Sequence, residues 1–153
     1  MKRIFLLAVC LLLVSNALTL PATAAVLSES DQVIISQTVE DLGDGVFYIE
    51  TIYVPSIQLY SNAKTGTKTA QYVYSGKTIF AISVTGTFTY DGSSSDATSA
   101  SCRIVTYVEA AEIMSRNAYT SGASAVATGS VKYNGITIPK TVTLTCDQNG
   151  NLS

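Results

Sequence analysis

The sequence predicts an all-β protein: a single-domain antiparallel β-sandwich, or a partly open barrel, built from consecutive hairpins. Three observations lead there. Lys77 to Tyr90 alternates, with Phe80, Ile82, Val84, Phe88 and Tyr90 on one parity and Ser83, Thr85, Thr87 and Thr89 on the other. That period of two sends the sets to opposite faces of a strand, one apolar and one hydroxylated. Turn dipeptides at Asp44-Gly45, Ser75-Gly76, Ser121-Gly122 and Asn134-Gly135 separate runs rich in β-branched and aromatic residues, the pattern of hairpins. No amphipathic helix of convincing length interrupts them, which leaves sheet packed on sheet as the way to bury the apolar faces.

Taken in order, Val26 to Gln37 begins polar and becomes apolar at Val33-Ile34-Ile35, predicting a first strand, and Thr38 to Asp44 leads into the reversal at Gly43-Asp44-Gly45. Val46 to Val54 is apolar on both parities, so it is expected to be covered on both faces or to form one edge of a partner interface. Pro55 ends it, because proline cannot donate to a ladder. Ser56 to Thr69 reads as a hydroxyl-rich connection, and Gln71 to Tyr74 as a short strand in hairpin with Lys77 to Tyr90. Gly86 interrupts the apolar parity of that strand, marking a bulge, a bend or a close approach by another backbone.

Asp91 to Ser99 holds turn formers without an apolar anchor and reads as a flexible connection, after which Cys102 to Val108 returns to strand character. The segment 108–118 is open between a short helix and a strand. Ala110, Ala111, Ile113, Met114 and Ala118 satisfy helical spacing, but the segment is short and lies between strands. Ala125 to Tyr133, Asn134-Gly135 and Ile136 to Cys146 form the clearest hairpin, since both turn residues of a type I′ loop need positive φ. Pro139 marks a bulge or an edge. Val142, Leu144 and Cys146 share one face.

The first residues carry a different signal. Lys2 and Arg3 precede an apolar run from Ile4 to Val14, followed by Pro21-Ala22-Thr23-Ala24-Ala25. That is the charged, apolar and small-x-small order of a secretory signal peptide, spanning 1–24 with cleavage after Ala24 or Ala25 and leaving 25–153 as one secreted, extracellular β-rich domain. A membrane span needs about 20 apolar residues, and Ser15, Asn16, Thr19 and Pro21 stop this run short. Cys10 lies inside the run, which argues against a lipoprotein box, and Leu20-Pro21-Ala22-Thr23-Ala24 lies at the wrong end for a sortase signal. No membrane span is expected in the mature form.

Of 153 residues, 129 remain once 24 are removed, and loss of Lys2 and Arg3 leaves seven basic against 11 acidic residues, a net charge of −4. A nucleic-acid binder is expected to show a basic face instead. The chain contains no histidine and no tryptophan, so a Ser-His-Asp triad, a Cys-His dyad and a histidine metal site are all excluded. Cys102 and Cys146 remain as an even pair in an exported chain, and a disulfide between them is expected. Closing that loop would add roughly 4 kcal/mol on the chain-entropy account.

Two blocks carry a resemblance. Thr85-Gly86-Thr87-Phe88-Thr89-Tyr90-Asp91-Gly92 followed by Cys102, and Val142 through Cys146 to the terminal Gly150-Asn151-Leu152-Ser153, resemble uncharacterised small secreted β-rich proteins of Gram-positive, Clostridia-like bacteria. The likeness covers roughly 38–153. It implies secretion and a bacterial source, and it brings no catalytic residue. The Ser-rich stretch between Gly92 and Cys102 is longer than the resemblance leads one to expect.

Nine tyrosines against no tryptophan direct attention to binding, because tyrosine offers a rigid apolar plate with a polar tip suited to glycans and protein partners. Tyr48, Tyr53, Tyr60, Tyr72 and Tyr74 cluster in one half and are the expected exposed set. Asp91 and Asp96, with Ser93 and Ser95 between them, are weak candidates for calcium. Glu50, Glu109 and Glu112 lie nearest apolar sequence, and a pair of them across a cleft would suit glycoside hydrolysis. No cofactor is expected. The reading that follows is a secreted non-catalytic module that binds a protein or a cell-envelope glycan. A secreted antagonist of the bacteriocin-like kind and a carboxylate-dependent hydrolase are the alternatives.

Overall fold

A computed structural model describes residues 31–56 and 62–153. The expected signal peptide and Tyr60 lie outside the described residues. The described residues form eight antiparallel strands: β1 (Gln32–Gly43), β2 (Val46–Pro55), β3 (Ala63–Tyr74), β4 (Lys77–Tyr90), β5 (Ser95–Thr106), β6 (Ala111–Ser121), β7 (Ser124–Tyr133) and β8 (Ile136–Thr145). They make two meanders, a five-stranded sheet in the order β1-β2-β3-β4-β5 and a three-stranded sheet in the order β6-β7-β8. The sheets do not close into a barrel, so the architecture is a sandwich. Among the described residues no helix is long and apolar enough to cross a membrane.

Local chemistry explains the hairpins. Asp44 and Gly45, Ser75 and Gly76, and Asn134 and Gly135 all take positive φ, the backbone twist that lets a two-residue loop follow the right-handed twist of its strands. The link between β5 and β6 carries the chain from one sheet to the other, pinned where the Tyr107 N–H donates to the Ile79 carbonyl at 2.9 Å. β6 therefore lies against β5 at a corner, β7 over β4 and β5, and β8 over β3 and β4. β1 projects past the smaller sheet and is exposed along its length, whereas Tyr48 and Ile52 on the inner face of β2 are buried in the core.

The core fills the space between the sheets. Phe80, Ile82, Val84 and Phe88 of β4 are buried against Ala125, Ala127 and Val131 of β7 and Val142 and Leu144 of β8. Close approach is possible because both layers carry small residues at the contact. Gly66 and Gly86 face each other across β3 and β4. A Cβ on Gly86 would lie 2.6 Å from the Ala125 Cβ and 2.8 Å from the Phe88 ring, and one on Gly66 would collide with the Leu152 side chain. Gly86 thus marks a close approach, as its position in the apolar face of β4 predicts, and what approaches is side chains of β7 and β4. The chain end fills the notch over Gly66: Leu152 is buried and bridges to Cys146, while Thr145 and Ser153 exchange backbone hydrogen bonds.

On the outer face of the larger sheet the threonine parity forms a hydrogen-bonded ladder. Thr65 meets Thr87 at 3.1 Å, Thr67 meets Thr85 at 2.8 Å and Thr69 meets Ser83 at 2.9 Å between hydroxyl oxygens. These pairs explain a first correction. The stretch Ser56 to Thr69 is not all connection, because β3 begins at Ala63 and its β-branched threonines pair in register with β4. Similarly, β5 begins at Ser95 within the expected Asp91 to Ser99 loop. The segment 108–118 holds no helix: 108–110 is a turn, and from Ala111 to Ser121 β6 runs in register with β7, a ladder that takes the backbone groups a helix would have paired internally. Among the described residues no strand packs on the outer face of Val46 to Val54. Its apolar residues there, Phe47 and Ile49, sit beside Val39 and Val73 of the neighbouring strands and are only half-buried.

The expected disulfide is also corrected, since Cys102 and Cys146 are free thiols. Cys102 lies on the inner face of β5, opposite Val84. Cys146 lies past β8 at the other end of β5, where the Ser95 hydroxyl donates to its carbonyl at 2.8 Å. Seven residues of strand at about 3.3 Å each separate Ser95 from Cys102, roughly 20 Å, whereas a disulfide requires Cα atoms within about 7 Å. Burial raises the Cys102 thiol pKa, with Arg116 and the Asn117 backbone pulling the other way. Cys146 points inward, as its parity with Val142 and Leu144 predicts.

Candidate functional site

The inner face of β2 and β3 is where the molecule departs from an apolar sandwich. Cross-strand register aligns Glu40, Tyr48, Tyr72 and Phe80 in one row and Thr38, Glu50, Ala70 and Ile82 in the next. The smaller sheet does not cover the β1 ends of these rows, and one side chain reaches toward them. Lys140 of β8 extends its ammonium to Glu50 at 3.0 Å and to Glu40 at 3.6 Å, and sits 3.9 Å from the centre of the Tyr48 ring. Lys68 of β3 meets Glu50 from the other side at 3.5 Å. The result is a ledge of alternating charges, Glu40, Lys140, Glu50 and Lys68, bordered by aromatic rings.

Those rings form a connected group at the end of the sandwich that bears the β3-β4 and β7-β8 turns. Tyr48 packs edge-on to Tyr72 at 5.4 Å, Tyr72 stacks on Phe80 at 5.1 Å, and Tyr74 meets Tyr133 of β7 at 6.4 Å. Tyr74 is 41% exposed and Tyr133 half-buried, so the mouth between the sheets is lined by phenol rings from both layers. Burial, with Tyr72, Glu40 and Glu50 nearby, pushes the Tyr48 pKa up to about 12. Tyr72 is raised by burial and by Tyr74 and Tyr133. Both therefore remain neutral donors at ordinary pH. Burial also works to raise the Glu50 pKa, but Lys140 and Lys68 outweigh it and hold the carboxyl below its ordinary value.

The four expected tyrosines among the described residues are thus dispersed. Tyr48, Tyr72 and Tyr74 share the inner face, but Tyr48 is only 6% exposed and belongs to the core, against the expectation of an exposed ring. Tyr53 is half-buried on the outer face, opposite Thr67. The carboxylates also separate: Glu50 is on β2, while Glu109 and Glu112 are exposed at the start of β6 and in the link before it. Lys140, Lys68 and Tyr133 are ledge residues that sequence reasoning missed. Their signal is present in the sequence, because Lys140 occupies the parity of Val142 and Leu144, as Glu50 does that of Tyr48 and Ile52. A charge on an apolar parity needs a partner.

Asp91 and Asp96 do share a hollow of about 310 Å³, lined also by Asn62, Thr89, Tyr90 and Ser94. One Asp91 oxygen accepts from the Ser93 and Ser94 N–H groups at 2.9 and 2.8 Å, and these bonds hold its pKa below the usual carboxylate range. The arrangement is an Asx turn. Among the described residues no three His, Cys, Asp or Glu side chains cluster to hold a metal. No protein-family model matches the chain, nor does any curated protein sequence or solved structure.

Proposed function

We propose that the chain is a secreted, non-catalytic β-sandwich module that binds a cell-envelope glycan at the ledge of Tyr72, Tyr74, Tyr133, Lys140 and Glu50. The observation that carries this reading is the line of charges beside phenol rings at the margin of the sandwich, where β1 projects past the smaller sheet. A sugar ring offers C–H groups to stack on an aromatic face and hydroxyls that need both donors and acceptors. Tyrosine rings supply the first, and a lysine flanked by two carboxylates supplies the second. Tyr74 is the exposed plate, and Lys140 and Glu50 are fixed by one another before a ligand arrives, so little side-chain entropy is lost on binding.

The electrostatics support a binding role over hydrolysis. A glycosidase acid must hold its proton near neutral pH, which needs a raised pKa, whereas the lysines beside Glu50 lower its value. Retention of purified protein on immobilised envelope polysaccharide, compared with Tyr74→Ala and Lys140→Met, tests the proposal. Tenfold or greater loss of retention in both variants, at unchanged fold, is the expected result. Equal retention of all three proteins, or none by the parent, would overturn it.

A further inference from the structure

The strand edges of this sandwich are not equivalent. β8 carries Pro139 and turns Lys140 inward, and β5 and β6 lie against each other at the corner; proline, lysine and coverage are the usual means of blocking edge pairing. Among the described residues β1 has none of these: it pairs there only with β2, all of its 12 residues are exposed, and it contains no lysine, arginine or proline. Its apolar side chains Val33, Ile34, Ile35, Val39 and Leu42 are between 45% and 66% exposed. Register shifts lie between Ile34 and Ser36 and between Asp41 and Gly43, which leaves Ser36 to Asp41 as an uninterrupted stretch of regular edge.

We infer that β1 is a homodimerisation edge, pairing antiparallel with β1 of a second copy about a two-fold axis at Gln37. The pattern of the strand selects both occupant and register. In parallel pairing, Glu40 and Asp41 would stand beside their own copies at about 4.8 Å, a like-charge contact that destabilises cross-strand pairs. Antiparallel pairing about Gln37 sends them to opposite ends, where each meets the uncharged Gln32 and Val33 of the partner. The same register sets Ser36 against Thr38 and brings Val39 opposite the Ile34 to Ile35 irregularity, so that apolar residues meet apolar residues on both sides of the axis. Shifting the centre to Thr38 would oppose Val39 to Gln37 and lose those contacts. A strand whose pattern complements its own reversal is what an isologous interface requires.

Purified full chain examined by sedimentation should have twice the monomer mass at micromolar concentration, and Val39→Lys should return it to monomer with an unchanged fold, since residue 39 is solvent-facing in one copy. Mild oxidation should cross-link Gln37→Cys into a covalent dimer. Asp41→Cys should stay uncross-linked, because eight residues of strand at about 3.3 Å each, some 26 Å, would separate the two thiols; the parent chain is the blank for Cys10, Cys102 and Cys146. Three results would overturn the inference: a monomer at all concentrations with fast-exchanging β1 amides, a monomer with slow β1 amides, which would assign the edge to 1–30 of the same chain, or cross-linking at position 41 but not 37.

Discussion

Replacing Gly86 by valine probes the closest approach of the two sheets. The φ of Gly86 is not in the left-handed region, so only space is at issue. The first added carbon would stand 2.6 Å from the Ala125 Cβ and 2.8 and 2.9 Å from two Phe88 ring carbons, all closer than van der Waals contact. Ala125 has no rotamer with which to move away and Phe88 is fully buried, so the sheets must separate. Overpacking of a well-filled core costs about 1–3 kcal/mol, and an immobile neighbour puts this site at the upper end, about 3 kcal/mol, or a fall in Tm of roughly 10 °C. Thermal and urea unfolding followed by circular dichroism would read it. The double variant with Ala125→Gly should recover about 1–2 kcal/mol, because the two positions share one space and couple. Unchanged stability in Gly86→Val, or no recovery in the double variant, would refute the close-approach account.

Leu152→Ala should lower stability by about 2 kcal/mol, the lower part of the range for a buried leucine, since the side chain fills the notch over Gly66; urea denaturation within 0.5 kcal/mol of the parent would contradict this. Lys140→Met should cost about 1 kcal/mol, discounted for partial exposure, and raise the Glu50 pKa toward its ordinary value by removing one of two cations. Carboxyl titration by NMR checks the direction. Asp147 accepts from Asn149 and Asn151 and has a lowered pKa. Its folded value lies below the unfolded one, so its contribution is present above the ordinary value of 3.8 and is lost as pH falls through the folded value. Asp147→Asn should remove that part of the acid sensitivity of the chain end, read by amide exchange of 145–153 between pH 2 and 5. Finally, a thiol reagent without reductant should label two cysteines of the unfolded mature chain 25–153, Cys102 reacting before Cys146 in the native protein; one disulfide by mass would contradict the strand geometry.

The legible parts of the fold are those with local causes. The alternation in Lys77 to Tyr90 gave the faces of β4 correctly, and Asn134-Gly135 gave its turn, because side-chain direction and positive φ are settled within a few residues. Ala63 to Thr69 was obscured because a run of threonine, lysine and glycine has the composition of a loop; only pairing with β4 makes it a strand. At 111–118, alanine and methionine satisfy helical spacing, but the β7 ladder overrides so weak a preference. The ledge was half legible. Glu50 was singled out by its apolar surroundings, while Lys140 was passed over although its parity with Val142 carried the same signal.

By itself the sequence determined the class of this protein, its hairpins, the inward faces of β4 and β8, and the chemistries that a chain without histidine lacks. Tertiary structure decided which faces meet. Nothing near Lys140 in the chain announces Glu50, 90 positions earlier, and nothing near Cys102 reveals that Cys146 lies at the far end of the same strand. Gly66 has its purpose only in Leu152 above it, and the close approach expected at Gly86 finds its partner, the Ala125 side chain, only in the packed sandwich. The physical reason is that strand periodicity is fixed by the backbone of each segment, whereas register, sheet order and the overhang of β1 come from burying the apolar faces of the two sheets at once.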